Sequence, residues 1–112
     1  MKYALLIYTH PGSFDGLDDA QREAVSQEYY AIRDAPGFID GAQLAPVETA
    51  TTVRVSNGDA LTTDGPFAET KEVFGGYYAF ECDNLDAAIA LAARVPAARM
   101  GGSVEVRPLV GM

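Results

Sequence analysis

Hydrophobic and polar positions along the chain change period several times, and each change predicts an element. Tyr3, Leu5 and Ile7 fall on one side of a period of two and Lys2, Ala4, Leu6 and Tyr8 on the other. Both sides are largely apolar, which predicts a central strand covered on both faces. His10-Pro11-Gly12 ends it, because proline keeps the residue before it extended and glycine permits a turn. A helix is expected from Asp18 or Asp19. Asp18 and Gln21 have capping-box spacing, and the acids oppose the helix dipole. Val25, Tyr29 and Ile32 then recur at i, i+4, i+7 as a narrow apolar stripe, with Arg22, Glu23, Gln27 and Arg33 expected to point elsewhere. Pro36-Gly37 closes the helix.

A loop through Gly41 and Pro46 follows, and the period of two returns at Thr51 to Ser56, where Thr51, Val53 and Val55 alternate with Thr52, Arg54 and Ser56. Asn57-Gly58 tolerates the positive φ angles of a tight hairpin turn, so a return strand is expected over Ala60 to Thr63. Asp64-Gly65-Pro66 stops it. An aromatic-rich strand runs from about Phe74 to Cys82, and Asp83 or Asn84 caps a second helix with Leu85, Ala88, Ile89 and Ala92 on one face. Pro96 ends that helix, and Ser103 to Leu109 forms the last strand, Val104 and Val106 facing one way and Glu105, Arg107 and Leu109 the other.

The order β-α-β-β-β-α-β, with a hairpin that favours antiparallel pairing, predicts an α+β, ferredoxin-like domain with one antiparallel sheet and both helices on one face. The other face needs cover too. Leu6, Tyr8, Phe80 and Leu109 are assigned to it, and a homodimer stacking sheet on sheet buries them, giving a dimeric α/β barrel.

Composition narrows the function classes. The 112 residues are 48% hydrophobic and 21% charged, which describes one folded domain, residues 1–112. Eight Lys and Arg against 16 Asp and Glu leave a net charge of −8, a field that repels a nucleic-acid backbone. No apolar run has membrane-spanning length and no signal-peptide pattern opens the chain, so a cytoplasmic protein without a membrane partner is expected. One cysteine and one histidine offer neither a disulfide nor a zinc set, and Asp15, Asp18 and Asp19 fit helix capping better than calcium binding, so no metal is expected. Cys82, between Glu81 and Asp83, is expected to be a buried packing residue with a suppressed thiolate. His10, the lone histidine, reads as a loop residue.

The densest chemistry lies in Asp64-Gly65-Pro66-Phe67-Ala68-Glu69-Thr70-Lys71-Glu72. As a turn, Asp64 folding back on nearby amides and Gly65-Pro66 explain only its first half. The segment resembles the motif that names the DGPF proteins, a branch of the YCII-related family. Met1-Lys2-Tyr3 through Tyr8, Thr49 to Arg54, Gly75-Gly76-Tyr77-Tyr78, Leu85 to Ala88 and Val104 to Pro108 resemble the family's pattern in its order. The resemblance implies a ferredoxin-like domain dimerising into an α/β barrel. It implies two kinds of function: lyase- or dehalogenase-like chemistry, using a first-helix histidine paired to an aspartate, or an accessory role beside extracytoplasmic-function sigma factors.

This chain departs from the histidine-aspartate branch. Its first helix carries Tyr29 and Tyr30 and no histidine, and Val95 stands before Pro96. What remains is a small organic ligand in the barrel cavity, with cofactor-free lyase, isomerase or dehalogenase-like acid-base chemistry as the enzymatic reading. No glycine-rich phosphate motif or cofactor lysine pattern is visible. Asp64 and Glu69 are the acid-base candidates. Arg54, Asp64, Phe67, Glu105 and Arg107 are the candidate ligand contacts, with Tyr77 or Tyr78 adding a phenol. Arg54, Glu105 and Arg107 are expected mid-strand on one charged wall, which reads equally well as a structural salt bridge between strands or subunits. The alternative is a non-catalytic regulatory or interaction module linked to a sigma factor.

Overall fold

A computed structural model describes residues 1–65 and 72–111. Phe67 and Glu69 lie outside the described residues. The element order is β1 (Lys2–Thr9), α1 (Asp19–Ile32), β2 (Phe38–Gln43), β3 (Thr51–Ser56), β4 (Asp59–Asp64), β5 (Val73–Glu81), α2 (Leu85–Ala93) and β6 (Ser103–Pro108). Strands β2-β5-β1-β6 form one antiparallel sheet, and β3 and β4 form a separate two-stranded ribbon. Without the ribbon, the order is the ferredoxin-like β-α-β-β-α-β arrangement.

The single sheet expected from the sequence is therefore corrected to two. Phe38–Gln43, read as loop, is the edge strand of the main sheet, and the hairpin is an insertion after it. The reason is local. Between Phe38 and Asp40 the pairing with β5 slips by a residue, so the period of two never develops. Gly41 sits there because a Cβ would stand 2.9 Å from the Tyr78 ring, and at Gly76 one would stand 2.6 Å from the Ala42 carbonyl oxygen. Packing demands these glycines, and they hide the strand.

Both helix starts follow the sequence. Asp18 accepts the Gln21 amide at 2.8 Å while the Gln21 side chain accepts the Asp18 amide at 2.9 Å. Asn84 accepts the Ala87 amide and caps α2. The hairpin turn has Asn57 at φ 52° and Gly58 at φ 83°, both left-handed as a tight turn requires.

The core lies between the main sheet and the helices. Phe80, Leu5, Ile32, Val95 and Pro96 are fully buried in it, with Tyr3, Ile7 and Tyr78 nearly so. Phe38 meets Phe80 edge-on at 5.6 Å, a favoured aromatic geometry. Two facial assignments change. Phe80 pairs with Tyr3, and so faces the helices instead of the bare face. In α2 the buried positions are Ala88 and Ala92, while Leu85 and Ile89 of the expected stripe are half exposed. The small alanines let α2 lie close to the sheet, and that approach turns the two larger residues outward.

Candidate functional site

Helix α1 buries only Ile32, near its C-terminal end. Over its preceding turns the apolar stripe is just Val25 and Tyr29, too narrow to seal the helix against the sheet. The gap is a cavity of about 330 Å³. From α1 it is lined by Arg22, Val25, Ser26, Tyr29, Tyr30 and Arg33; from the sheet by Ile7, Thr9, Ala42, Gln43 and residues 75–78, of which Tyr77 turns its side chain to the other face; and from the loop before α1 by Phe14.

The cavity corrects one reading of the helix. Arg22 and Arg33 do not point away from the stripe: positions 22, 25, 26, 29 and 33 share one side by helical spacing, and both arginines line the cavity. Arg22 Nε donates to the Leu17 carbonyl at 3.2 Å, and the Arg33 guanidinium lies 5.6 Å from the centre of the Tyr30 ring. Among the described residues neither is in ion-pair distance of a carboxylate, and no Asp or Glu lines the cavity.

The phenols are donors. Tyr78 Oη donates to the Tyr29 carbonyl at 2.8 Å, and burial pushes the Tyr78 phenol up to about 12, with Tyr29 adding to the shift and Arg33 opposing it. Burial also raises the Tyr29 phenol, against a hydrogen bond from Ala97 and the charge of Arg99. Both are neutral near pH 7. The wall thus offers aromatic faces, phenolic protons and guanidinium charge, a set that stabilises an anion and supplies no ordinary base.

The residues singled out in the sequence are not assembled on one wall. Arg54 is on the ribbon, opposite Leu61, whereas Glu105 and Arg107 are on β6, at the far edge of the other sheet. Among the described residues Val53 and Val55 meet no helix; they are 59% and 71% exposed, which removes the premise that placed Arg54 beside the β6 charges. Glu105 and Arg107 form an exposed ion pair of 3.7 Å on the face that bears Leu6 and Ala4. Tyr77 also faces that side and donates to Asp40 at 3.1 Å, which raises its phenol.

Asp64 stands at the base of the ribbon, opposite Thr51, and its neighbour Gly65 is bound at both ends, its amide to the Ala50 carbonyl and its carbonyl to the Thr52 hydroxyl. The ribbon is inserted between β2 and β5, whose Gln43 and Gly75 border the cavity at one end of the main sheet, and Asp64 is not among the lining residues. Glu72 is tied to the same end by the Ser103 hydroxyl at 2.8 Å. His10 has its ring Nδ1 2.9 Å from the Pro11 carbonyl oxygen, outside the cavity. Cys82 is buried as expected; desolvation raises its thiol, the N-terminal ammonium opposes this, and Glu81 and Asp83 add to it. Val95 is packed in the core.

The topology defines a ferredoxin-like α+β domain with a cavity beneath its first helix. The chain belongs to the YCII-related family: the family model of the YCII-related domain matches residues 1–112. It is 36% identical over 114 residues to an uncharacterised protein of Rhizobium meliloti (strain 1021), covering 97% of this chain and 92% of the relative. Its fold is similar to that of 5-chloro-2-hydroxyhydroquinone dehydrochlorinase from Burkholderia phenoliruptrix AC1100, solved with 2,5-dihydroxybenzoquinone, at a TM-score of 0.53 and 14% identity over 97% of this chain and 93% of that one. No helix among the described residues is long and apolar enough to cross a membrane.

Proposed function

We propose that this protein, as a DGPF-type member of its family, binds a small organic molecule in the cavity beneath α1 and performs cofactor-free, lyase-type acid-base chemistry on it. The observation that carries the reading is the cavity itself: about 330 Å³, walled by Phe14, Tyr29, Tyr30 and Tyr78, with a guanidinium toward either end of α1. The fold shared with a dehydrochlorinase supports the reaction class, since net loss of HCl from a chlorinated hydroquinone releases a proton and chloride and leaves a quinone, with no external oxidant or reductant. The cavity's own phenols are proton donors, so the base comes from outside its walls. We assign that role to Asp64, at the base of the ribbon inserted between β2 and β5.

The assembly we propose is a homodimer packed through the helix-free face of the main sheet. Leu6, Tyr8, Phe74 and Tyr77 stand on this face, and such an apolar surface is buried economically by a second copy.

Amide chemical shifts recorded during titration with a panel of small phenols and aromatic acids test the binding claim. Shifts are expected at Ser26, Gly75 and Gly76, and replacing Val25 by Trp, which fills the cavity, is expected to abolish them. Binding indifferent to V25W overturns the site. In turnover assays with chlorinated hydroquinones, Asp64→Asn is expected to keep binding and lose product formation. A chain that binds none of the panel is left with the interaction-module reading.

A further inference from the structure

We infer that the cavity beneath α1 selects a ligand that is both aromatic and anionic, with Arg33 as the residue that holds its charge and Arg22 as a second, weaker cation. The inference rests on the reading of the cavity as a binding site and adds the charge of what it binds.

Acids outnumber bases in this chain two to one. The chain carries 16 acidic against 8 basic side chains, so a randomly placed arginine has many acids available to pair with. Arg99 pairs with Glu28, and Arg107 with Glu105. Arg22 and Arg33 line a cavity walled by aromatic rings, yet among the described residues neither has a carboxylate within ion-pair distance. Their contacts are a backbone carbonyl and an aromatic face, which leave most of the guanidinium donors available.

Long-range repulsion from the −8 chain does not cancel this. At physiological ionic strength charges beyond about 8 Å are largely screened, so a ligand in the cavity responds chiefly to the nearest groups. Those groups are two cations and neutral phenols, with no lining acid. A guanidinium fork holds a carboxylate or phenolate by two parallel bonds, and the rings of Tyr29, Tyr30 and Phe14 supply flat apolar area for a ring. Arg33 ranks above Arg22 because it stands beside Tyr30 and faces Tyr78, whereas Arg22 already commits its Nε to Leu17. Eleven helical positions separate the two arginines, about 16 Å along the axis at 1.5 Å per residue, so one small ring engages one of them directly.

The test uses four probes at constant ionic strength, followed by amide shifts at Ser26 and Gly76: benzoate; benzamide, which has the same shape without charge; acetate, which has the charge without the ring; and benzylamine. Benzoate is expected to bind at least about tenfold tighter than each of the others, the factor that one charge-assisted hydrogen-bond pair supplies. Arg33→Gln should lower benzoate affinity about tenfold or more and leave benzamide within about twofold, with Arg33→Lys intermediate. Arg22→Gln should lower it less. Equal binding of benzoate and benzamide overturns the charge selection while the cavity reading stands. Equal binding of acetate and benzoate overturns the aromatic part, and probe shifts outside the cavity, or none at all, overturn both readings. If Arg33→Gln weakens benzoate and benzamide alike, Arg33 acts by packing on Tyr30 and its assignment fails. Thermal melts of both variants report whether the fold is kept; both side chains are exposed, so it should be.

Discussion

Leu5 and Phe80 in the main sheet have no exposed surface, whereas Val53 and Val55 in the ribbon are mostly in water, although all four satisfy the same alternation of a strand. The difference is what lies above them. In the main sheet, helices close one face and a second strand flanks β1 on each side. In the ribbon, each strand has one partner and, among the described residues, nearly every position on both strands is exposed, a two-stranded unit of marginal stability by itself. A period of two reports that a strand has two faces; it does not report which face is packed, or against what.

That comparison can be broken most violently at Phe80. Phe80→Ala deletes a fully buried ring that meets Phe38 and Tyr78, so denaturant unfolding should show a loss of about 3–5 kcal/mol. A loss below about 1 kcal/mol would mean that this sheet is no better packed than the ribbon. At the edge of the same core, Asn84→Ala removes the cap of α2 and should cost about 1 kcal/mol by the same measurement, with the unfolding slope unchanged.

How much was legible follows the same division. Asp18 with Gln21, Asn84, and Asn57-Gly58 act through bonds to their near neighbours, so sequence spacing alone located both helix starts and the hairpin turn. The edge strand β2 was hidden because its bulge and Gly41 answer to β5, some 40 positions away. The candidate site suffered likewise. Arg54, Glu105 and Arg107 share a parity within their strands, but pairing assigns the strands to different sheets. The cavity was missed because Arg22 and Arg33 looked like solvated charges. One signal was present: with Val25 and Tyr29 they share one helical side, a mixed charged and aromatic stripe too polar for a sealed core.

Tyr78 joins the core to the cavity, and its titration couples stability to alkaline pH. Its folded phenol is raised to about 12 from an ordinary value near 10. The folded state therefore holds this proton more tightly than the unfolded chain does. Its contribution is complete below pH about 10 and is lost as pH rises toward 12. Tyr78→Phe should cost about 1 kcal/mol at neutral pH through the lost bond to the Tyr29 carbonyl, and should flatten the fall in stability across that alkaline window. An unchanged alkaline slope in Y78F would show that other groups carry it.

The smallest expected effect is in the ribbon and sharpens the comparison from its other side. Val55 is 71% exposed on β3 and pairs with Ala60 across a ladder that the main sheet does not join. Val55→Thr keeps the β-branched shape and the strand preference, and changes only what water or a neighbour meets at the surface. In a chain whose ribbon stands in solvent, the midpoint of denaturant unfolding should move by less than about 0.5 kcal/mol in equivalent stability, at every protein concentration. The concentration series is the decisive part. A cost above about 1 kcal/mol that is present at high concentration and vanishes on dilution would mean that another molecule covers Val55 in solution, because a contact within one chain cannot depend on how many chains are present. A large cost independent of concentration would mean that the ribbon packs against its own domain, and the contrast with Phe80 would then be one of degree.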